Sequence, residues 1–106
     1  MISANELVQT IALLQADALQ RWIEAGWVLP VGDDHDRRFD DSDVARVHLI
    51  CELHYELQID EDSLSVVLSL LDQLYATRRS LQTLMAAVAA QPDDVRSRIA
   101  SAIKAP

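Results

Sequence analysis

The run from Arg21 to Leu74 constrains the fold more than any other part of the chain. It opens on a helix-forming stretch that stops at Gly26, passes through Trp27-Val28-Leu29-Pro30 and a loop holding Gly32, Asp33, Asp34 and Asp36, and returns through Arg37-Arg38-Phe39. It then enters DDSDVARV and further apolar-periodic sequence. Glycine after a helix supplies the left-handed residue at its end. Proline forces its predecessor into extended backbone, and aspartate ahead of an apolar period accepts free N–H groups at a new helix start. A helix, a short hairpin and a capped helix therefore follow one another in that order, as in a winged helix-turn-helix.

The flanking sequence extends this pattern. Ser3-Ala4-Asn5-Glu6 has the form of a capping box and predicts a first helix from about Ala4 to Ile11. A second, from about Gln15 to Ala25, places Leu19, Trp22 and Ile23 on one face. Trp27 to Pro30 pairs with Arg37 to Phe39 across Gly32-Asp33-Asp34 as a two-stranded wing. Trp22 and Trp27 stand near a helix stop, where aromatics belong to a core more often than to an interface. Asp40 or Asp41 caps a third helix reaching about Leu57. Its inward face carries Val44, Val47 and Cys51, followed by His54, and it also shows Leu49, Ile50 and Leu53. So much apolar surface on one helix implies burial on two sides or a patch awaiting a partner.

Asp60 caps a fourth helix whose apolar face holds Leu64, Val67, Leu68 and Leu71, and no breaker recurs before Pro92. Val67, Leu71, Leu74, Arg78, Leu81, Met85 and Val88 alternate steps of four and three, a heptad seam interrupted only by Arg78 and suited to dimerisation. Pro92 belongs in the first turn of a final helix with Val95, Ile99 and Ile103 as its stripe, folding back onto the long one. The predicted class is mainly α: a winged-helix-like domain over residues 1–72, then a helical extension over 73–106 with a candidate dimerisation segment and a terminal helix.

A formal charge of −8 and a pI near 4.6 repel phosphate, which argues against nucleic acid as a partner. The acids crowd the middle third, from Asp33 to Asp62, opposed there only by Arg37, Arg38 and Arg46. Such a run is either a solvated face or a surface for a cationic partner. Cys51 is the only cysteine and excludes an internal disulfide. The first residues lack a basic, apolar leader and no apolar run reaches bilayer length, so the expected compartment is the cytoplasm, with no membrane contact. His48, Cys51 and His54 recur at three-residue steps but spread over roughly a third of the helix circumference. Packing explains them better than a metal, although a metal sensor is the reading they leave open. No cofactor is expected. No nucleophile–base set or phosphate loop stands out, so an enzyme is not expected either.

With these residues in place, the chain resembles the MerR-like winged-helix superfamily and, within it, the chaperone-modulator family typified by CbpM. The likeness spans about Ser3 to Val88. It rests on W-V-L-P, the acidic wing, F-D-D, and then HYELQIDEDSLSVVLSLLDQL, which is similar to the family's H-E-L-x-L-D element and V-x-L-x-L-x-D helix. Here Glu56, Leu57, Ile59, Asp60, Val66, Leu68, Leu70 and Asp72 carry it. The chain departs from that pattern at Arg78, at Arg79 and beyond Pro92. The resemblance implies a protein that binds the J-domain of a DnaJ-like, curved-DNA-binding co-chaperone and inhibits it. J-domains typically carry a basic second helix that engages an Hsp70, and Glu52 and Glu56 with Leu49 and Leu53 are the residues expected to meet it. The alternative is a dimeric MerR-type transcription regulator in which Arg21, Arg37, Arg38 and Arg46 touch phosphates. Where DNA-binding relatives present basic and tyrosine side chains, this chain has Leu19-Gln20-Arg21-Trp22.

Overall fold

The computed structural model describes residues 1–104. It divides into two compact units, Met1–Leu68 and a second that begins at Ser69. The elements in chain order are β1 (Ile2–Ser3), α1 (Ala4–Thr10), α2 (Ala16–Glu24), β2 (Arg38–Phe39), α3 (Asp41–Cys51), a π-helical segment (Glu52–Glu56), α4 (Glu61–Ala89) and α5 (Asp93–Ile103).

Local chemistry sets the boundaries of the first unit. The capping box at α1 is complete: Glu6 N–H donates to Ser3 Oγ and Ser3 N–H to Glu6 Oε1, each at 3.2 Å. α2 ends in a Schellman motif. Gly26, at φ +79°, donates to the Ile23 carbonyl, and Trp27 donates to the Trp22 carbonyl at 2.9 Å. A second capping box starts α3, with Asp43 N–H on Asp40 at 2.8 Å and Asp40 N–H on Asp43 at 3.1 Å. Ser63 N–H donates to Asp60 at 2.7 Å to start α4.

The wing differs from the sequence expectation. Its outgoing limb is not Trp27 to Pro30: the pairing lies at Val31, which exchanges two hydrogen bonds with Arg38, at 2.9 and 2.7 Å. Trp27 is committed to closing α2, Val28 is buried in the core, and Pro30 has no N–H to donate. The other edge of β2 is taken by the N-terminus, where Ile2 and Ser3 pair antiparallel with Phe39 and Arg38. The loop closes over Gly32, at φ +103°, where a Cβ would overlap the Asp36 carbonyl.

Leu7, Trp22, Val28, Phe39, Val47, Ile50, Leu64 and Leu68 are essentially inaccessible to solvent. They come from α1, α2, the wing, α3 and the start of α4, so one core ties these elements together. Full burial of each large side chain stabilises the fold by about 1.5–3 kcal/mol. Trp27, Leu49 and Leu53 are half-buried against this core.

The third helix reaches the predicted end but not as one regular helix. From Glu52 it widens into π geometry, with Leu57 N–H reaching the Glu52 carbonyl at 3.0 Å. Ile59 N–H then closes on the Leu53 carbonyl at 3.0 Å, and Gln58 takes the left-handed conformation, φ +56°, that a glycine usually fills.

In the second unit no described residue is buried. Along α4 the seam positions Leu74, Leu81 and Met85 are 47, 54 and 60% exposed. Pro92 stands just before α5 as its N-cap rather than inside the first turn. Val88, Val95 and Ile99 are half-buried and Ile103 is exposed.

Candidate partner-binding surface

The four arginines that a phosphate-binding surface would use are each held within the first unit. Arg21 forms a fork on Glu61, with Nη2 at 2.8 Å and Nε at 3.2 Å, and touches Asp17 at 3.4 Å. These bonds raise its pKa, the Glu61 hydrogen bonds most. Arg37 is largely covered, bonding Asp34 at 2.7 Å and the Gln20 side chain. Arg38 pairs with Asp36 at 3.3 Å, and Arg46 donates from Nε to the Trp27 carbonyl at 2.9 Å. Each guanidinium therefore fastens an element of the fold.

The acids sort by the same accounting. Asp33 accepts the His35 and Asp36 N–H groups and shapes the wing loop, while Asp34 and Asp36 neutralise the wing arginines. Asp40, Asp43 and Asp60 are helix caps. The backbone N–H of Asp43 holds Asp40 below the usual carboxylate range, whereas burial lifts Asp43. Glu61 accepts Arg21 and the Trp22 indole N–H, the latter at 3.1 Å, and the Arg21 hydrogen bonds lower its pKa. Much of the apparent anionic surface is therefore structural.

Glu52 and Glu56 are different. Both are exposed, and among the described residues neither side chain makes an ion pair or a capping hydrogen bond; Glu52 ends α3 with its backbone N–H alone, on the His48 and Leu49 carbonyls. As like charges four apart they oppose each other by roughly 0.2–0.5 kcal/mol. Glu56 also lies in the last turn, where the helix dipole disfavours a negative charge. Local stability gives no reason for them.

The two glutamates line one wall of a groove of about 220 Å³ between the α1–α2 turn and the α3–π helix. Thr10, Ile11, Ala12 and Leu13 form the opposite wall, and His48, Cys51 and Tyr55 share the first. Leu13 is 68% exposed and sits at φ +70°, a conformation that is costly for leucine. Leu49 and Leu53, expected beside the glutamates, instead pack half-buried against the core. The large exposed apolar residue that lines the groove with Glu52 and Glu56 is Leu13. Nothing in the periodicity of A-L-L-Q singled it out, because a leucine between two helices reads as core.

His48, Cys51 and His54 diverge. His48 is exposed at the groove, whereas Cys51 is 8% exposed and burial pushes its thiol up to about 11. His54 bonds through Nδ1 to the Ile59 carbonyl at 2.8 Å, with its ring edge-on to Trp22 and against Tyr55. Among the described residues no group of three His, Cys, Asp or Glu side chains is placed to hold a metal ion. Among the described residues no helix is long and apolar enough to cross a membrane.

No curated protein and no solved structure matches the chain. A family model does, that of the MerR HTH family of regulatory proteins, over residues 2–86. This span takes in the capping box at Ser3, the wing, the groove and α4 as far as Ala86. With most of its length matched, the chain belongs to the MerR HTH family of regulatory proteins.

Proposed function

We propose that this chain is a cytoplasmic chaperone modulator that binds the J-domain of a DnaJ-like, curved-DNA-binding co-chaperone and inhibits it. The observation that carries this reading is the inverted use of charge on a MerR-family frame. Arg21, Arg37, Arg38 and Arg46 are each paired within the first unit, Arg21 and Arg38 while half exposed, whereas Glu52 and Glu56 face solvent without an ion pair. A cationic protein surface fits that arrangement better than a polyanion does. Charge accelerates the encounter and selects the partner, and apolar contact slows dissociation. The complex would occlude the basic helix through which a J-domain engages Hsp70, without a cofactor and without chemistry. The test is the J-domain-stimulated ATPase of an Hsp70 at increasing concentrations of this protein. A fall to the unstimulated rate is expected, and an unchanged rate at saturating concentration would sink the proposal.

A second reading, a dimeric DNA-binding regulator using the same four arginines, is also compatible with membership of the MerR HTH family. It would require Arg21, Arg37 and Arg38 to exchange carboxylates for phosphates and Arg46 to leave the Trp27 carbonyl. Its signature is DNA affinity falling steeply with salt. Either reading accommodates a homodimer through the exposed seam of Leu74, Leu81 and Met85. Sedimentation equilibrium of the wild type and of Leu81→Glu decides that point: a dimer should become a monomer.

A further inference from the structure

We infer that the groove between the α1–α2 turn and the α3–π helix is the docking site for a cationic amphipathic helix of the partner, with Leu13 as the apolar contact and Glu52 and Glu56 as the charge contacts. This rests on the protein-binding reading above and assigns it a place and an occupant. Thr10 to Leu13 line the groove together with two glutamates four residues apart, and Leu13 is the large apolar side chain this stretch exposes. Among the described residues no arginine or lysine lines it; His48 does. A helix with an apolar side chain and basic residues one turn to either side would place the first against Leu13 and Tyr55 and the second against the carboxylates. The charges are open to solvent, so their contribution depends on salt over a distance of about 10 Å at 0.1 M.

The backbone provides a variant that separates binding from folding. Glycine suits φ +70°, so Leu13→Gly removes the apolar contact while relieving the left-handed strain. Glu52→Gln with Glu56→Gln removes both charges and their mutual repulsion. Two probes are titrated calorimetrically against the full chain at low and moderate salt. One is the isolated J-domain of a DnaJ-like co-chaperone, and the other a Leu/Lys amphipathic peptide of about five helical turns.

The double glutamine variant should weaken both complexes about tenfold at low salt and flatten their salt dependence. Leu13→Gly should weaken them about fivefold or more at either salt. The thermal midpoint should not fall in the double glutamine variant, and Asp41→Asn, remote from the groove, should leave both affinities unchanged. If the J-domain binds and neither groove variant changes its affinity, the docking site is wrong while the modulator reading stands. If only the peptide binds, and the variants weaken it, the groove is a basic-helix site and the J-domain reading falls. If neither probe binds, both fall. A neutral Leu/Gln peptide binding as tightly would overturn the charge contacts.

Discussion

Glu61→Ala tests the physical account of the first unit at its densest polar contact. Glu61 accepts the Trp22 indole N–H at 3.1 Å and the Arg21 fork at 2.8 and 3.2 Å. Trp22 is fully buried, so truncation leaves its N–H without a partner, which costs about 1–3 kcal/mol. Arg21 is half exposed, so the ion pair adds only about 0–1 kcal/mol. Together they give a loss of about 1–4 kcal/mol. Glu61→Gln keeps an acceptor for the indole and should cost less than about 1 kcal/mol. Both tryptophans lie in the first unit, so urea unfolding followed by their fluorescence reads this unit. Asp62→Ala, a first-turn acid of the same helix, controls for the helix dipole. The Glu61 carboxyl is held below its usual range by Arg21, so its contribution is present above the unfolded value near 4.5 and lost as pH falls through the lower folded value. The gap between wild type and Glu61→Gln should therefore shrink as pH falls below the unfolded value of 4.5. An alanine variant no less stable than Asp62→Ala would refute the reasoning.

Two further outcomes follow from backbone and burial. Gly32→Ala should destabilise the first unit by more than about 1 kcal/mol in the same unfolding assay, since φ is +103° and the new Cβ would overlap the Asp36 carbonyl. Cys51, 8% exposed with its thiol raised to about 11, should resist a thiol reagent at neutral pH in the folded protein and react in urea as fast as a model thiol.

The elements most legible in the sequence were those whose boundaries are set by local chemistry. Ser3 with Glu6, and Gly26, close caps where the pattern put them, and of the two aspartates it offered for α3 the cap is Asp40, paired with Asp43. The wing was legible as a hairpin but not in register, because its strand partner, Ile2–Ser3, is remote in sequence and too short to show alternation. The π segment carries no signature, since Glu52–Glu56 has ordinary helix formers and its widened turn follows from where Leu57 and Ile59 find carbonyls. Glu52 and Glu56 were singled out in the sequence only through the family resemblance, as acids expected to meet a basic helix. The groove was not, because it is made by the meeting of Leu13 with a helix some forty residues later. The arginines looked available in the sequence because nothing local showed that Arg21 would be taken by Glu61.

The central claim is that this MerR-family chain uses its exposed charge to hold a protein rather than DNA. Calorimetric titration of the intact protein with the isolated J-domain of a DnaJ-like co-chaperone, at low and moderate salt and beside an equal titration with duplex DNA, tests it most directly. Saturable J-domain binding that salt weakens, with no heat from DNA, is the expected result. No J-domain binding together with salt-dependent DNA binding would contradict the claim.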